Sequence, residues 1–391
     1  MPEVALNRTD NKIDISTVKR EETNEYSKND AETNINMLDN KIEVDDKFKE
    51  IINEIEDYYN KITKFESNIT IPDDTLYAKK HIDQNAKKIK QRIDNKYNKY
   101  KNDLKIIQNF AEFLNEGLKE YINNINEEIT KMENANKNWK SIDKKSNLYS
   151  STIEYEQNII YKLYIDQIVN IKNILKSEYK IIENEYKDIK KEIEILKNGT
   201  LAEKISIYTG IKKIDDILEG NKSAVVKKHK HQNNNININE IKLILNEQTN
   251  SIEHYYNMIK STPYYELATF KNNNRKSSFM ESKIMRFKNE YNNILKVKKQ
   301  FAEFLYRGLE NYKKKSLEHI REVSTIDDKN IVSNIHFIIK NYKIQSTRIV
   351  ELLEIEHKDI MKREDKIKYL EKANSIKGVK GIYFLLLAYL L

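Results

Sequence analysis

The sequence predicts an all-α protein without sheet, and three observations lead there. Glycine and proline, the residues that end helices, number only seven and three in 391 residues. Apolar residues recur at three- and four-residue spacing over long stretches, the period of one helix face. One twelve-residue helical phrase also occurs twice, FAEFLNEGLKEY at Phe110–Tyr121 and FAEFLYRGLENY at Phe301–Tyr312, identical at eight of twelve positions 191 residues apart. With 39% hydrophobic and 33% charged residues, a thick core is not expected. Elongated helices packed side by side are.

Residues 1–36 mix charge, Asn and Thr without periodicity and read as disordered. From Met37 the helical spacing begins, with Leu38, Ile42, Phe48, Ile51, Ile52, Ile55, Tyr59 and Ile62. SNITIPDDT (67–75) interrupts it, because Pro72 cannot continue a helix and Asp73 or Asp74 can cap the next. A long helix is expected from about Leu76 to Asn134, then the polar break NANKNWKSIDKKSN, then a second long helix near Tyr149–Leu196. Asn198 and Gly199 supply a stop, and a shorter helix is expected over Leu201–Leu218. The Asn/Lys-rich segment 221–239 reads as a linker. The pattern then restarts, with helices expected near Glu240–Ser261, Phe279–Val323 and Asn330–Asn374 and a break at Pro263.

We read that restart as an internal duplication. Tyr100–Tyr121 aligns with Tyr291–Tyr312 at 12 of 22 positions. Ile55, Glu56, Tyr58, Tyr59, Asn60 and Ile62 match Ile252, Glu253, Tyr255, Tyr256, Asn257 and Ile259, and Pro72 falls on Pro263. Downstream, Glu185, Lys187, Asp188, Ile189 and Lys191 match Glu356, Lys358, Asp359, Ile360 and Lys362. The expectation is two tandem copies of an elongated three- or four-helix module, 37–220 and a shorter 240–376. They would form a bundle or a spectrin-like coiled-coil array.

Within the repeated phrase, Phe110, Phe113, Leu114, Gly117, Leu118 and Tyr121 lie on one helix face. Phe301, Phe304, Leu305, Gly308, Leu309 and Tyr312 repeat them. Glycine on such a face costs about 1 kcal/mol of helix propensity relative to alanine. Gly117 and Gly308 therefore imply that another helix passes close by, and the face reads as a core seam rather than a docking groove.

No constellation points to chemistry. There is no cysteine, no glycine-rich phosphate loop, no HExxH and no nucleophile elbow. Asp45-Asp46, Asp73-Asp74 and Asp215-Asp216 read as helix caps or solvated surface. His229 and His231, in the basic run from Lys227, lie in the linker without acidic or Cys partners. No catalytic residue, metal site or cofactor is expected. The net charge of +8 is spread over interleaved Lys and Glu, and no nucleic-acid partner is expected. Four Asn-x-Ser/Thr sequons, headed by Asn7, Asn68, Asn198 and Asn221, are what an Asn-rich chain generates.

The N-terminus has no apolar run of signal-peptide length, so the chain reads as cytosolic or as a piece of something longer. The apolar run Ile382–Leu391, IYFLLLAYLL, follows Lys377 and Lys380. A spanning helix needs about 20 such residues. The tail 377–391 therefore reads either as docked on the helices or as a truncated membrane anchor, with membrane contact through Ile382–Leu391.

Helices rich in Lys, Asn, Ile and Tyr, such as EYKIIENEYKDIKKEIEILKNG (178–199), resemble the helical stem of the reticulocyte-binding-like rhoptry proteins, red-cell invasion ligands of malaria parasites. The likeness runs over residues 40–376 as texture, without a diagnostic motif. It implies non-catalytic adhesion to a host-cell surface receptor and a rhoptry, cell-surface or membrane location. The family's receptor-binding region is expected to hold cysteines, which this chain lacks, so no binding residue carries over. The alternative from the residues is an intracellular helical scaffold or tether, membrane-associated through its tail.

Overall fold

Every described residue lies in a helix or a short connection between helices, and no strand occurs among them. The computed structural model describes residues 39–66, 68–71, 83–142, 147–200, 203, 238–267, 279–325, 331–376 and 379–390. The expected disorder of 1–36, Pro72, the helix at 201–218 and the linker 221–237 lie outside the described residues, except for Glu203. The chain divides into a unit up to Glu50, of which the start of the first helix is described, and a unit Ile51–Leu391.

The helices are α1 (Asp39–Thr63), α2 (Asp83–Ile142), α3 (Asn147–Asn198), α4 (Ile238–Ser261), α5 (Phe279–Arg307), α6 (Leu309–Ser324), α7 (Ile331–Ser375) and α8 (Val379–Leu390). Two boundaries differ from the sequence reading. α2 runs on through Asn134–Ile142, where a polar break was expected, because Asn there lowers helix propensity without forbidding it and Lys favours a helix. The helix expected over Phe279–Val323 is interrupted at Gly308, whose φ of −86° and ψ of 0° separate α5 from α6.

Within the second unit α2 and α3 form an antiparallel pair. Arg92 and Lys96 meet Glu192 at 3.4 and 2.5 Å, and Tyr121 near the middle of α2 reaches Gln167. The part of α1 beyond Ile51 lies against both. Gln108 donates to the Ile62 carbonyl at 3.2 Å, and Lys172 meets Glu54 at 2.9 Å. A second set repeats the plan. α5 and α7 are antiparallel, with Lys288 against Glu371 at 2.6 Å and Lys298 against Asp359 at 3.0 Å. α4 closes this set, Thr249 lying 3.2 Å from the Tyr342 hydroxyl and Lys299 donating to the Thr262 carbonyl at 2.6 Å.

Candidate functional site

The two copies of the repeated phrase pack against each other. All twelve motif positions except the two glycines are buried hydrophobics, from Phe110 and Phe301 at 0% exposure to Phe304 at 5%. Each such side chain contributes about 1.5–3 kcal/mol by leaving water. A methyl group at Gly117 would stand 2.9 Å from the Phe304 ring, and one at Gly308 would stand 2.8 Å from the Phe113 ring. The two close approaches exchange under the 191-residue shift. So do the ring contacts: Tyr121–Phe301 at 5.7 Å answers Tyr312–Phe110 at 5.5 Å, and Tyr121–Phe304 at 5.2 Å answers Tyr312–Phe113 at 5.4 Å. At the edge, Glu120 pairs with Arg307 and Glu116 accepts from Asn311 at 3.2 Å.

Two buried polar chains flank this crossing. The Tyr121 hydroxyl donates to Gln167 at 2.5 Å, Gln167 donates to Glu356 at 2.9 Å, and Lys298 binds the other Glu356 oxygen. In the same manner Tyr312 donates to Gln345, Gln345 donates to Glu178 at 2.9 Å, and Arg348 pairs with Glu178. Burial pushes the Glu178 carboxyl up against the pull of Arg348 and Gln345. The Glu178 side chain is 3% exposed, so its charge is tolerable only with a cation and hydrogen bonds in place. Gln345 lies 178 residues after Gln167, and Glu356 lies 178 after Glu178. The contacts therefore pair Glu356 with Glu178, seven residues before the Glu185 that the sequence alignment chose.

These chains tie helices together, and the first extends through Lys298 to Asp359. A concave site lies elsewhere. A cleft of about 660 Å³ opens between α3, α5 and α7. Ile159, Leu163 and Phe287 give it apolar lining, and six cations face three carboxylates around it. Lys162 comes from α3, Lys283 and Arg286 from α5, and Lys362, Arg363 and Lys366 from α7. Of the carboxylates, Asp359 is bound by Arg363 at 2.9 Å and Lys298 at 3.0 Å, and Glu290 meets Arg363 at 3.5 Å. Against the effect of burial, Lys298 and Arg363 hold the Asp359 carboxyl below its usual value. Lys366 lies over the Phe287 ring at 5.3 Å. The cleft keeps a positive surplus on an apolar base.

Helix α8 borders the same place. It folds back along α7 at Gly381, where a methyl group would run into the Ile376 carbonyl. One side of α8 is docked: Ala388 joins Ile284 and Leu370 in a core cluster, with Leu385 and Phe287 packed on it. The other side is bare. Ile382, Tyr383, Leu386 and Tyr389 are 58–60% exposed and Leu390 81%. Lys283, which lines the cleft, donates to the Tyr389 hydroxyl and lies 4.6 Å from its ring centroid. Twelve residues extend only about 18 Å at 1.5 Å per residue. No described helix is long and apolar enough to cross a membrane.

Comparison with protein families, with curated proteins and with solved structures finds no match.

Among the described residues no three His, Cys, Asp or Glu side chains gather as a metal site. Sequence reading missed the cleft because its cations come from three helices distant in the chain. A local signal existed in Lys362, Arg363 and Lys366 and in Lys283 and Arg286, basic residues at one-, three- and four-residue spacing that share a helix face. His229 and His231 lie outside the described residues.

Proposed function

We propose that this protein is a non-catalytic helical scaffold, built from two copies of one module crossing at the repeated phrase, that attaches to an anionic membrane surface through α8. The observation carrying the reading is the bare apolar face of α8. Five large side chains stand more than half exposed on a helix without a single acidic residue. A short helix with one apolar face, tyrosines at its borders and cations beside it suits the plane of the headgroup–acyl boundary. Lys283, Lys372 and Lys380 are the neighbouring cations, Lys372 lying 5.6 Å from the Phe384 ring centroid. Docking of the opposite face on Ile284 and Leu370 makes α8 part of the folded unit, so attachment would orient the bundle as well as hold it. Of the two expectations drawn from sequence, this is the tether.

Co-sedimentation of the full chain with vesicles tests it. Binding to phosphatidylserine-containing vesicles is expected, with little to neutral phosphatidylcholine and a fall as salt rises. Leu386→Ser with Leu390→Ser is expected to weaken binding at least tenfold, since each leucine contributes about 1.5–3 kcal/mol when buried. Wild-type protein that stays in solution with anionic vesicles at low salt would sink the reading.

A further inference from the structure

We propose that the cleft between α3, α5 and α7 takes the headgroup of a multiply phosphorylated inositol lipid while the α8 face beside it enters the acyl boundary. This rests on the membrane reading and names the lipid. Three observations carry it.

The first is the distribution of charge. Lys162 on α3 and Lys362 on α7 stand on walls supplied by different helices, and among the described residues neither has an ion pair. Asp359 and Glu290 are already engaged by Lys298 and Arg363. An entering anion thus finds uncommitted ammonium groups on two walls while two of the three carboxylates are neutralised. A headgroup with one charge could engage one wall; a ring carrying several phosphates can satisfy both. Lysine suits that task as a mobile point charge with three donors.

The second is the shape. About 660 Å³ lies within the roughly 300–1,000 Å³ of small-molecule sites. The apolar side chains of Ile159, Leu163 and Phe287 can meet the carbon face of a ring while its phosphates turn to the walls. A flat cationic surface would offer charge without this enclosure.

The third is continuity. Lys283 lines the cleft and also binds Tyr389 of the bare α8 face, and Phe287 lines the cleft and packs on the cluster holding Ala388. The cleft therefore borders α8 through two residues, Lys283 at the bare face and Phe287 at the docked one. A lipid whose acyl chains lie beside α8 would carry its headgroup next to the cleft.

The test compares the full-length wild type with Lys162→Gln/Lys362→Gln and with the control Lys187→Gln/Lys314→Gln, which removes the same charge far along α3 and on α6. Binding is measured to vesicles containing phosphatidylinositol bisphosphate or phosphatidylserine at equal surface charge. Calorimetry with soluble inositol hexakisphosphate, and separately with inorganic phosphate, reads the cleft without a membrane. Wild type is expected to prefer the phosphoinositide, and the cleft variant to lose roughly tenfold of that binding, given about 1 kcal/mol for each lysine near an anionic surface. The control should retain the preference, and hexakisphosphate should bind wild type but not the cleft variant, with inorganic phosphate far weaker. Equal losses in the cleft and control variants, or no hexakisphosphate binding, would overturn the proposal while leaving serine-lipid attachment intact. Loss of all vesicle binding with retained, cleft-dependent hexakisphosphate binding would overturn the lipid source and the membrane reading together.

Discussion

The two ends of the motif crossing occupy corresponding positions and use different chemistry. At one end Lys296 of α5 meets Glu128 of α2 at 2.6 Å. The same positions under the 191-residue shift are Lys105 of α2 and His319 of α6. There the Lys105 charge bears on an imidazole that is only 6% exposed. The flanking polar chains differ in the same way. The Tyr–Gln–Glu order is kept on both sides, yet one carboxylate is neutralised by Lys298 from α5 and the other by Arg348 from α7 itself. Shared architecture demands that each buried carboxylate have a cation. It does not dictate which helix supplies one.

Removing the cations should separate the two sides most sharply. Lys298 is 3% exposed in its side chain and Arg348 is 18% exposed. Lys298→Met would leave Glu356 buried with only Gln167, a loss of about 3–5 kcal/mol in urea unfolding. Arg348→Met should cost less, because water can reach the vacated position beside Glu178. The double change Lys298→Met/Glu356→Gln should recover much of the single loss, since it removes the stranded charge. If Arg348→Met proves the more damaging, exposure is not what ranks the two sides.

The glycines test whether the crossing is equally tight at both approaches. Gly117 lies in unbroken helix, with the Phe304 carbonyl 3.3 Å from where its methyl group would be. Gly308 lies at the interruption between α5 and α6, with the Phe113 carbonyl at 3.2 Å. Gly117→Leu should cost about 1–3 kcal/mol by overpacking, and Gly308→Leu should fall at the lower end because the break offers somewhere to shift. Equal thermal midpoints for the two variants would mean that the break gives no relief. Tyr121→Phe and Tyr312→Phe should follow at about 1 kcal/mol each, the net worth of one hydrogen bond, measured the same way.

Much of this was legible in the chain. The face Phe110–Tyr121 and its repeat were expected in a seam and are buried, and the glycines on that face predicted a close neighbour. That the neighbour is the other repeat was not readable, because a helix period fixes which face is apolar and leaves open what meets it. The register of the downstream match failed for a related reason. Glu185 and Glu178 differ by seven residues, close to two turns at 3.6 residues per turn, so both present the same face. Only the hydrogen bonds of Gln167 and Gln345 choose between them. The interruption at Gly308 was invisible because Gly117, in the same phrase, continues its helix. The cleft depends on three helices meeting, which no local pattern encodes.

The smallest effect expected is also the one that best separates the two ends, through pH. Among the described residues His319 has no hydrogen-bond partner for either ring nitrogen, and Glu322 stands 3.8 Å from Nδ1, beyond hydrogen-bonding distance. Burial, with Lys105 acting in the same direction and Glu322 and Asp103 against it, lowers its proton affinity below the ordinary histidine value of 6.5. The unfolded chain then takes the proton more readily, so this contribution to stability is complete above about pH 6.5 and drains away as pH falls through the folded-state value. At the other end burial would raise the Glu128 carboxyl, but Lys296 and Lys131 hold it below 4.5. Its contribution is therefore complete above about pH 4.5 and lost only in stronger acid. A thermal-midpoint profile should accordingly decline in two windows. His319→Gln should flatten the one just below pH 6.5 and leave the acidic one, while Glu128→Gln should do the reverse. A profile of His319→Gln that keeps the wild-type slope between pH 6.5 and 4.5 would show that the imidazole is not what distinguishes the two ends.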